Sequence, residues 1–556
     1  MGASKDIAAL RQIPMAHLGV LFFIAFVRVL LTFTPYCITM GVENPYSILK
    51  ELYMIEIGNR LEVFFDDYIV NAEKSTAKTK LHEPIRRGAA ITFDAAWEGN
   101  ACGYPNIILA EGRYYMYYRA SAYVGGTSYI CRAESADGIT WTKPAYGIVL
   151  INGSCENNAI VDKGMMESFG AKHMNDFYVF YDENPACPPE RRYKAVLSTA
   201  GEGSLISLVS PDGIRFTRYG VMAEQYAFDS QNLAFYSRVH GRYFCYYRHE
   251  HKPDPSVLFH EYSLKQATAD KLWDPKTMST REPAPEDAAA KMMRDIRVME
   301  SPDFIHWSES SLIGLKDDRF QLYTNTVQPY PRAPHIFVGT PMRYNERKAW
   351  TPNYDELCGR EARMERIIKG YARAGLAITD AVFMCSRDGY RFTRYDEAFM
   401  RPPTENPHSW MYGDCYAAAG LAETPSDIPG ADNELSLYVI ENYRAVGGQE
   451  ILSRYTLRLD GFASKHADAE EALVVTKELV YQGDTLYANI ATSARGYAYF
   501  TLKCDGEAYT SYEIFGNAVD KKIRFPDPEA VGRLAGRPVT LEVNMMDADL
   551  YAIRFA

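Results

Sequence analysis

Apolar positions in this chain fall into short runs that recur from Ile55 to the C-terminus. "GRYYMYYRA" from Gly112, "NDFYVFYDE" from Asn175, "GRYFCYYRHE" from Gly241, "APHIFVGTPMRY" from Ala333 and "ELSLYVIENYR" from Glu434 are each of strand length and end in polar or charged residues. Aromatic and β-branched runs of this kind, bounded by turn residues, predict strands. A second pattern punctuates them. "SADGITWTKP" at Ser135, "SPDGIRFTRY" at Ser210, "SPDFIHWSES" at Ser301 and "SRDGYRFTRY" at Ser386 stand 75, 91 and 85 residues apart, and "YTLRLDGFAS" around Asp460 is a weaker echo. Self-similarity at a nearly fixed period marks a repeat architecture. Each unit is all-β, which predicts blades packed radially around a channel, five by this count.

The period exceeds the ~45 residues of a compact four-stranded blade, so long loops must join some strands. Asp137, Asp212 and Asp388 are assigned to turn chemistry. The Trp or Phe following each turn is expected to pack between neighbouring sheets. Two segments break the β rhythm: "PEDAAAKMMRDIRVM", residues 285–299, and "YDELCGREARMERIIKGYARAG", residues 354–375, carry helical signals. After Ala463 the strands "ATSARGYAYFTLKCDG", "KKIRF", "RPVTLEVNM" and "DLYAIRFA" lack the blade signature and predict a small β-sandwich. The expected organisation is an apolar N-terminal segment over 1–54, an all-β five-bladed propeller over 55–463 and a C-terminal β-sandwich over 464–556.

Length alone implies more than one core in 556 residues. A net charge of −11 and the lack of any basic run exclude nucleic acid as the main partner. The 41 tyrosines suit strands, and they also suit sites where an apolar face meets hydroxyls. Ten cysteines occur without Cys-x-x-Cys spacing, so the sequence offers neither a zinc site nor a redox pair, and it favours a reducing compartment. The N-terminus points the other way. Residues 17–40 are apolar and of roughly membrane-spanning length behind Lys5 and Arg11, with Arg28 in the middle and Pro35 after it. This allows a membrane anchor, an uncleaved export signal, or upstream sequence before a cytoplasmic chain that starts at Met40 or Met54.

In a propeller the innermost strands converge on one axial mouth, so distant polar residues meet there. The informative residues are acids, amides and arginines at the edges of apolar strands. They are Glu98 and Tyr104 ahead of the first blade, Arg119 at the end of "YYMYYRA", and Glu156, Asn157 and Asn158 in "SCENNAIV". Further along come Asp182 and Glu183 after "FYVFY", then Asp229, Gln231 and Asn232 in "FDSQNLAFY". Arg248, His249, Glu250 and His251 close "YFCYY"; Asn325 and Gln328 lie in "LYTNTVQPY", and Asp414 in "SWMYGDCYAAAGL". A buried polar group without a partner costs roughly 1–3 kcal/mol, so such runs need one another or a ligand.

The five-blade count, the "S-x-D-G-x-x-W" turns and "YPNIILAEGRYYMYYRA" resemble the propeller glycosidases of families 32, 43 and 68. "FDSQNLAF", "YTNTVQPY", "RDIR", "ELSLYV" and "RYTLRLDGF" are similar to phrases in proteins grouped as family 32-like or 43-like hydrolases, and the resemblance runs from about Ile55 to the C-terminus. It implies a carbohydrate substrate and three cooperating acids: one before the first blade strand, one in blade two that tunes pKa, and one in blade three. Such a set lets one carboxyl donate a proton while another stays ionised. Aligned on Pro105 and Gly112–Tyr115, the first position falls on Tyr104, a departure from the family's Asp-Pro. Glu98 or Tyr104 itself would then be base or nucleophile, Asp182 the tuner and Asp229 the proton donor. Arg119, Glu156, Asn158, Glu183, Gln231, Asn232, Arg248, Asn325, Gln328 and Asp414 would bind substrate. No cofactor is required by these motifs and no metal site is assigned; Ca²⁺ is conceivable without a ligand loop to mark it. The competing readings are a carbohydrate-binding propeller without catalysis, and a propeller lyase or phosphorylase, the last with Arg248, His249 and His251 around phosphate.

Overall fold

Four-stranded antiparallel sheets account for the repeat. The computed structural model describes residues 54–556 apart from 123–125, 172–173, 175, 200–202, 225, 227, 253–271, 275–278, 282–291, 318–319, 347–354, 369–374, 404 and 446. Blade I consists of Gly103–Ala110, Arg113–Ala120, Tyr129–Ser135 and Ala159–Val161. Blade II consists of Tyr178–Tyr181, Tyr193–Ser198, Ser204–Ser210 and Thr217–Glu224, and blade III of Leu233–Ser237, Arg242–His251, Met293–Ser301 and Ser311–Leu312. Blade IV is built from Gln328–Tyr330, Ala333–Gly339, Met384–Ser386 and Thr393–Arg394, with a three-stranded companion sheet of Gln321–Leu322, Met342–Glu346 and Ala377–Ala381. In blade V, Tyr416–Ala417, Glu434–Glu441 and Ile451–Arg458 are completed by Ile85–Thr92 from the start of the chain. The ring therefore closes by pairing its first strand with its last blade, which leaves no open sheet edge there.

The repeated turns do the same work in blades I to IV. In blade II the Ser210 hydroxyl accepts from the Asp212 and Gly213 N–H groups and donates to the Asp212 carboxylate, which accepts from Ile214 and Arg215 N–H at 2.9 Å. Ser135–Asp137, Ser301–Asp303 and Ser386–Asp388 repeat the arrangement. The glycine carbonyl at the apex then joins two blades. Gly213 accepts from Tyr117 at 2.9 Å, Gly389 from Tyr246 at 2.6 Å, and Gly138 from Tyr438. Blade II has Val196 at the tyrosine position, and the turn it faces carries Phe304, at φ 66°, in place of glycine. Tyr117→Phe is expected to cost about 1 kcal/mol by orphaning the Gly213 carbonyl. Gly213→Ala should cost more, since its φ is +70° and the new Cβ would lie 2.5 Å from the Tyr117 hydroxyl. Urea unfolding of the two variants checks the order.

The C-terminal strands form a β-sandwich around Phe500, Val543 and Leu550, dominated by the long pair Leu486–Cys504 and Thr540–Phe555. Its membership differs from the expected boundary. Ile55–Gly58 pairs with Leu479–Tyr481, Glu62–Val63 with the Thr540–Phe555 strand, and Lys78–Leu81 with Ala463–Ala467. Residues 55–81 thus belong to the sandwich, and the propeller starts at Ile85. The expected helix over 285–299 is corrected too: Met293–Ser301 is the third strand of blade III, its apolar side chains packed between blades, while 285–291 lies outside the described residues. The second helical expectation corresponds to Arg360–Ile368. Residues 17–40 lie outside the described residues, and among those described no helix is long and apolar enough to cross a membrane. All nine described cysteines are free thiols.

Candidate active site

Strand direction decides which residues can meet. The first strands of blades I and V are bridged in parallel at Asn106 and Ala419, and the Asn106 amide ties blade I to the Val179 backbone of blade II. These are therefore the innermost strands. They approach so closely that a Cβ on Gly420 would lie 2.1 Å from the Ile107 carbonyl oxygen. First strands run away from the mouth and present their N-terminal ends to it. Second strands are antiparallel and present their C-terminal ends.

Contacts among those ends close a ring around the mouth. From blade I comes Tyr104, whose N–H donates to the Tyr416 hydroxyl of blade V at 3.2 Å. Arg119 donates to the Ala101 carbonyl at 3.0 Å and to the Tyr443 hydroxyl at 3.3 Å, and its guanidinium lies 5.2 Å from the Tyr104 ring. Blades III and IV are joined by Ser230, which donates to the Tyr323 carbonyl, and by Asn325, which donates to the Gln231 carbonyl, both at 2.9 Å. Tyr412 of blade V donates to the Tyr323 hydroxyl at 2.6 Å. Tyr104 stands at φ 52°, a conformation that costs a non-glycine residue on the order of 1–3 kcal/mol.

Two carboxyls share this space with opposite surroundings. Asp229 is 65 % exposed and accepts from Arg248 Nη1 at 3.2 Å; Arg248 Nη2 also donates to Glu250 at 2.9 Å. Asp176, immediately ahead of the first strand of blade II, is 1 % exposed. Its Oδ1 accepts from the Ser198 hydroxyl at 2.9 Å and its Oδ2 from the Asn232 amide, whose oxygen in turn accepts the Arg248 N–H at 3.1 Å. Burial pushes the Asp176 carboxyl from 3.8 up to about 7; the bonds from Ser198 and Asn232 oppose the rise and the nearby Asp229 adds to it. Beside them both polar atoms of the Gln231 amide, and Asn325 Oδ1, are buried and find no partner among the described residues. Native interiors rarely leave such groups unpaired, which sets these three atoms apart from the other polar groups around the mouth.

The structure therefore gathers Tyr104, Arg119, Asp229, Gln231, Asn232, Arg248 and Asn325. It does not gather the rest. Asp182 lies at the far end of the strand whose near end carries Asp176, six residues or ~20 Å away. It is buried there against Lys194 and accepts from Tyr243 at 2.8 Å. Glu183 pairs with Arg238 at the same far end. Glu156 is exposed on the turn before the outermost strand of blade I. Asn158 is bound to Tyr118, the Arg132 carbonyl and Trp97 within the blade. Glu98 is buried on Lys143 at 2.6 Å and on the Tyr118 hydroxyl at 2.5 Å, where it braces the loop. Gln328 is half-buried about 10 Å further along its strand than Asn325. Asp414 accepts from the Met411 N–H at 2.7 Å and so closes its own turn.

Asp176 opens the same run that the sequence reading follows to its other end at Asp182. "NDFYVFYDE" is a first strand, whereas the four runs aligned with it are second strands, so the wrong end was taken for the mouth. The blade II counterpart of those second strands is Tyr193–Ser198, and its end places Ser198 on Asp176. Glu450 also escaped notice: buried beside Arg119 and Arg444, it accepts from the Cys102 N–H at 2.9 Å, and burial raises its carboxyl well above 4.5. For Tyr104, burial pushes the hydroxyl well above its ordinary 10, which disfavours a phenolate nucleophile. Among the described residues no group of three His, Cys, Asp or Glu side chains gathers to hold a metal ion.

No protein-family profile matches the chain, and no curated protein sequence does. Solved structures do show similarity. One is a protein of the GH130 family of mannoside phosphorylases, a family described as containing glycoside hydrolases that target β-1,2 mannosidic linkages in Candida mannan, at 14 % identity, 67 % of this chain, 94 % of that one and a TM-score of 0.39. Another is a thermostable family-43 glycoside hydrolase, at 12 % identity over 68 % of this chain and 94 % of that one, TM-score 0.39. A third is the family-32 β-fructofuranosidase of Bombyx mori, at 10 % identity over 87 % of this chain and 95 % of that one, TM-score 0.35. The likeness is one of backbone shape at low identity.

Proposed function

We propose that the chain cleaves a glycosidic bond at the mouth of the propeller, with Asp229 and Asp176 as the working pair of carboxyls. The observation that carries this reading is their contrast. Breaking an acetal through an oxocarbenium-like transition state needs one carboxyl that holds a proton near neutral pH and a second that stays ionised. Burial raises the Asp176 carboxyl to about 7, so it holds its proton below that pH. Asp229 is solvent-facing and paired with the Arg248 guanidinium at 3.2 Å. Asp229 is thus the base or nucleophile and Asp176 the acid, which exchanges the role first expected of Asp229. The Gln231 amide and Asn325 Oδ1 bring unpaired polar atoms suited to sugar hydroxyls, and the half-buried Tyr104 offers a ring for sugar C–H surfaces.

The replacement of the expected aspartate by Tyr104 favours a second reading, a propeller that binds carbohydrate without cleaving it. A glycan panel incubated with the purified full chain separates the two. New reducing ends, or a released monosaccharide, are the expected result. Tight binding in calorimetry with no product over days assigns the chain to binding alone.

A further inference from the structure

Beside the mouth, between blades III and IV, lies a cavity of about 250 Å³ lined by His251, Arg294, Asp295, Phe320, Leu322 and Arg394, with isoleucine, leucine and methionine side chains completing its wall. It has room for a substituent of a sugar. The charges on its wall are unequally matched. Arg394 is bonded to Asp317 at 2.8 Å and Asp396 at 3.0 Å. Asp295 is bonded to His251 at 2.9 Å, with Arg297 at 3.7 Å. Arg294 has no carboxylate partner among the described residues. Its Nη1 donates to the neutral Gln321 side chain at 2.5 Å, its guanidinium packs 4.5 Å from the Tyr344 ring, and its buried Nε has no acceptor. Arg294 is a half-buried cation without a paired carboxylate, and a bound anion would stabilise it.

The cavity is also adjacent to the reacting groups. The Arg294 guanidinium is 5.7 Å from the Tyr323 ring centre, and that of Arg248, which holds Asp229, is 5.8 Å from the same ring. The two guanidiniums can be no further apart than these distances laid end to end. The unpaired Gln231 amide and Asn325 Oδ1 belong to the same neighbourhood, because Ser230 and Asn325 attach that stretch to the Tyr323 segment.

We infer that this cavity is a subsite for a carboxylate-bearing sugar: Arg294 takes the carboxylate as a two-pronged donor, and the rest of the sugar extends past Tyr323 toward Asp229. The inference rests on the carbohydrate reading and narrows it to acidic sugars. A guanidinium fits a planar carboxylate bidentately, and Tyr323 and Tyr344 fix its plane. Inorganic phosphate presents related oxyanion chemistry, so the test includes it.

The experiment is calorimetric titration of the full chain at constant ionic strength with D-glucuronate, D-galacturonate, D-mannuronate and N-acetylneuraminate, with the neutral hexoses glucose, galactose and mannose, and with inorganic phosphate. At least one sugar acid is expected to bind tenfold or more tightly than the neutral sugars. Arg294→Gln should erase that preference, and Arg294→Lys, which keeps charge but loses the fork, should keep part of it. The lysine variant decides the matter if the glutamine variant does not fold. Equal binding of acidic and neutral sugars, or a preference unchanged in a folded Arg294→Gln protein, overturns the inference and leaves the glycosidase reading standing. Arg294-dependent binding of phosphate alone overturns it in favour of a free anion. Binding of no sugar of either kind removes both readings.

Discussion

Asp229→Asn is expected to lower kcat on the true glycan by about 10²–10⁴-fold, the usual share of a positioned acid or base, with the unfolding temperature almost unchanged. The second half of the statement follows from exposure. Asp229 is 65 % exposed and its one ion pair is at the solvent boundary, where such pairs contribute about 1 kcal/mol or less. The pH profile should identify its partner. The folded-state pKa of Asp176 is raised from 3.8 to about 7, so its proton is in place below that value and is lost above it. With Asp176 as the acid, kcat/KM should fall tenfold per pH unit above about 7. The same raised pKa makes the folded state hold a proton that the unfolded chain releases above about pH 4, so Asp176 weakens the fold as pH climbs from about 4 to 7. Asp176→Asn, which removes the titration and keeps the shape, should therefore abolish turnover while holding or raising stability at pH 8. A variant that loses stability and keeps its rate would remove Asp176 from the chemistry.

The repeat was readable because its turns are local. The Ser-x-Asp-Gly spacing is set by hydrogen bonds within five residues, and each apex glycine is required by a neighbour's tyrosine, as Gly213 is by Tyr117. Five blades follow from counting the four turns together with the weaker echo around Asp460. Asp229, Gln231, Asn232 and Asn325 precede first strands, and Arg119 and Arg248 lie toward the ends of second strands, and either position leads to the mouth. Asp182 failed because an apolar run carries no mark of its direction or of its rank within a blade. Polarity at its C-terminal end looked the same as polarity at the end of "YFCYYR". Glu98, Asn158 and Glu156 illustrate a different limit: a polar residue beside a strand answers equally well to a partner within its own blade, and Lys143 and Tyr118 supply one to Glu98. The placement of residues 55–81 in the sandwich depends on pairing across some 400 positions of chain, for which no local signal exists. The cavity beside Arg294 was hidden for the same reason, since its walls come from two blades and its meaning lies in an unmatched charge.

Lys194→Met is expected to cost 3–5 kcal/mol, the largest loss of stability from any single side chain discussed above. Lys194 is 4 % and Asp182 0 % exposed in their side chains, and they are each other's counter-charge. Methionine fills the space of the lysine stem and removes only the ammonium, which leaves Asp182 with the Tyr243 hydroxyl and the Asn184 N–H as its donors. Two neutral donors do not offset the burial of a carboxylate. The double change Lys194→Met with Asp182→Asn should recover most of the loss, because no charge is then buried, and the recovery in a double-mutant cycle measures the coupling directly. Turnover below the unfolding transition should match the wild type in all three variants, given the ~20 Å between Asp182 and the Asp176 end of the strand. If Asp182→Asn instead removed activity from a protein of unaltered stability, the far end of blade II would be part of the reacting centre, and the assignment of the mouth by strand direction would have to be abandoned.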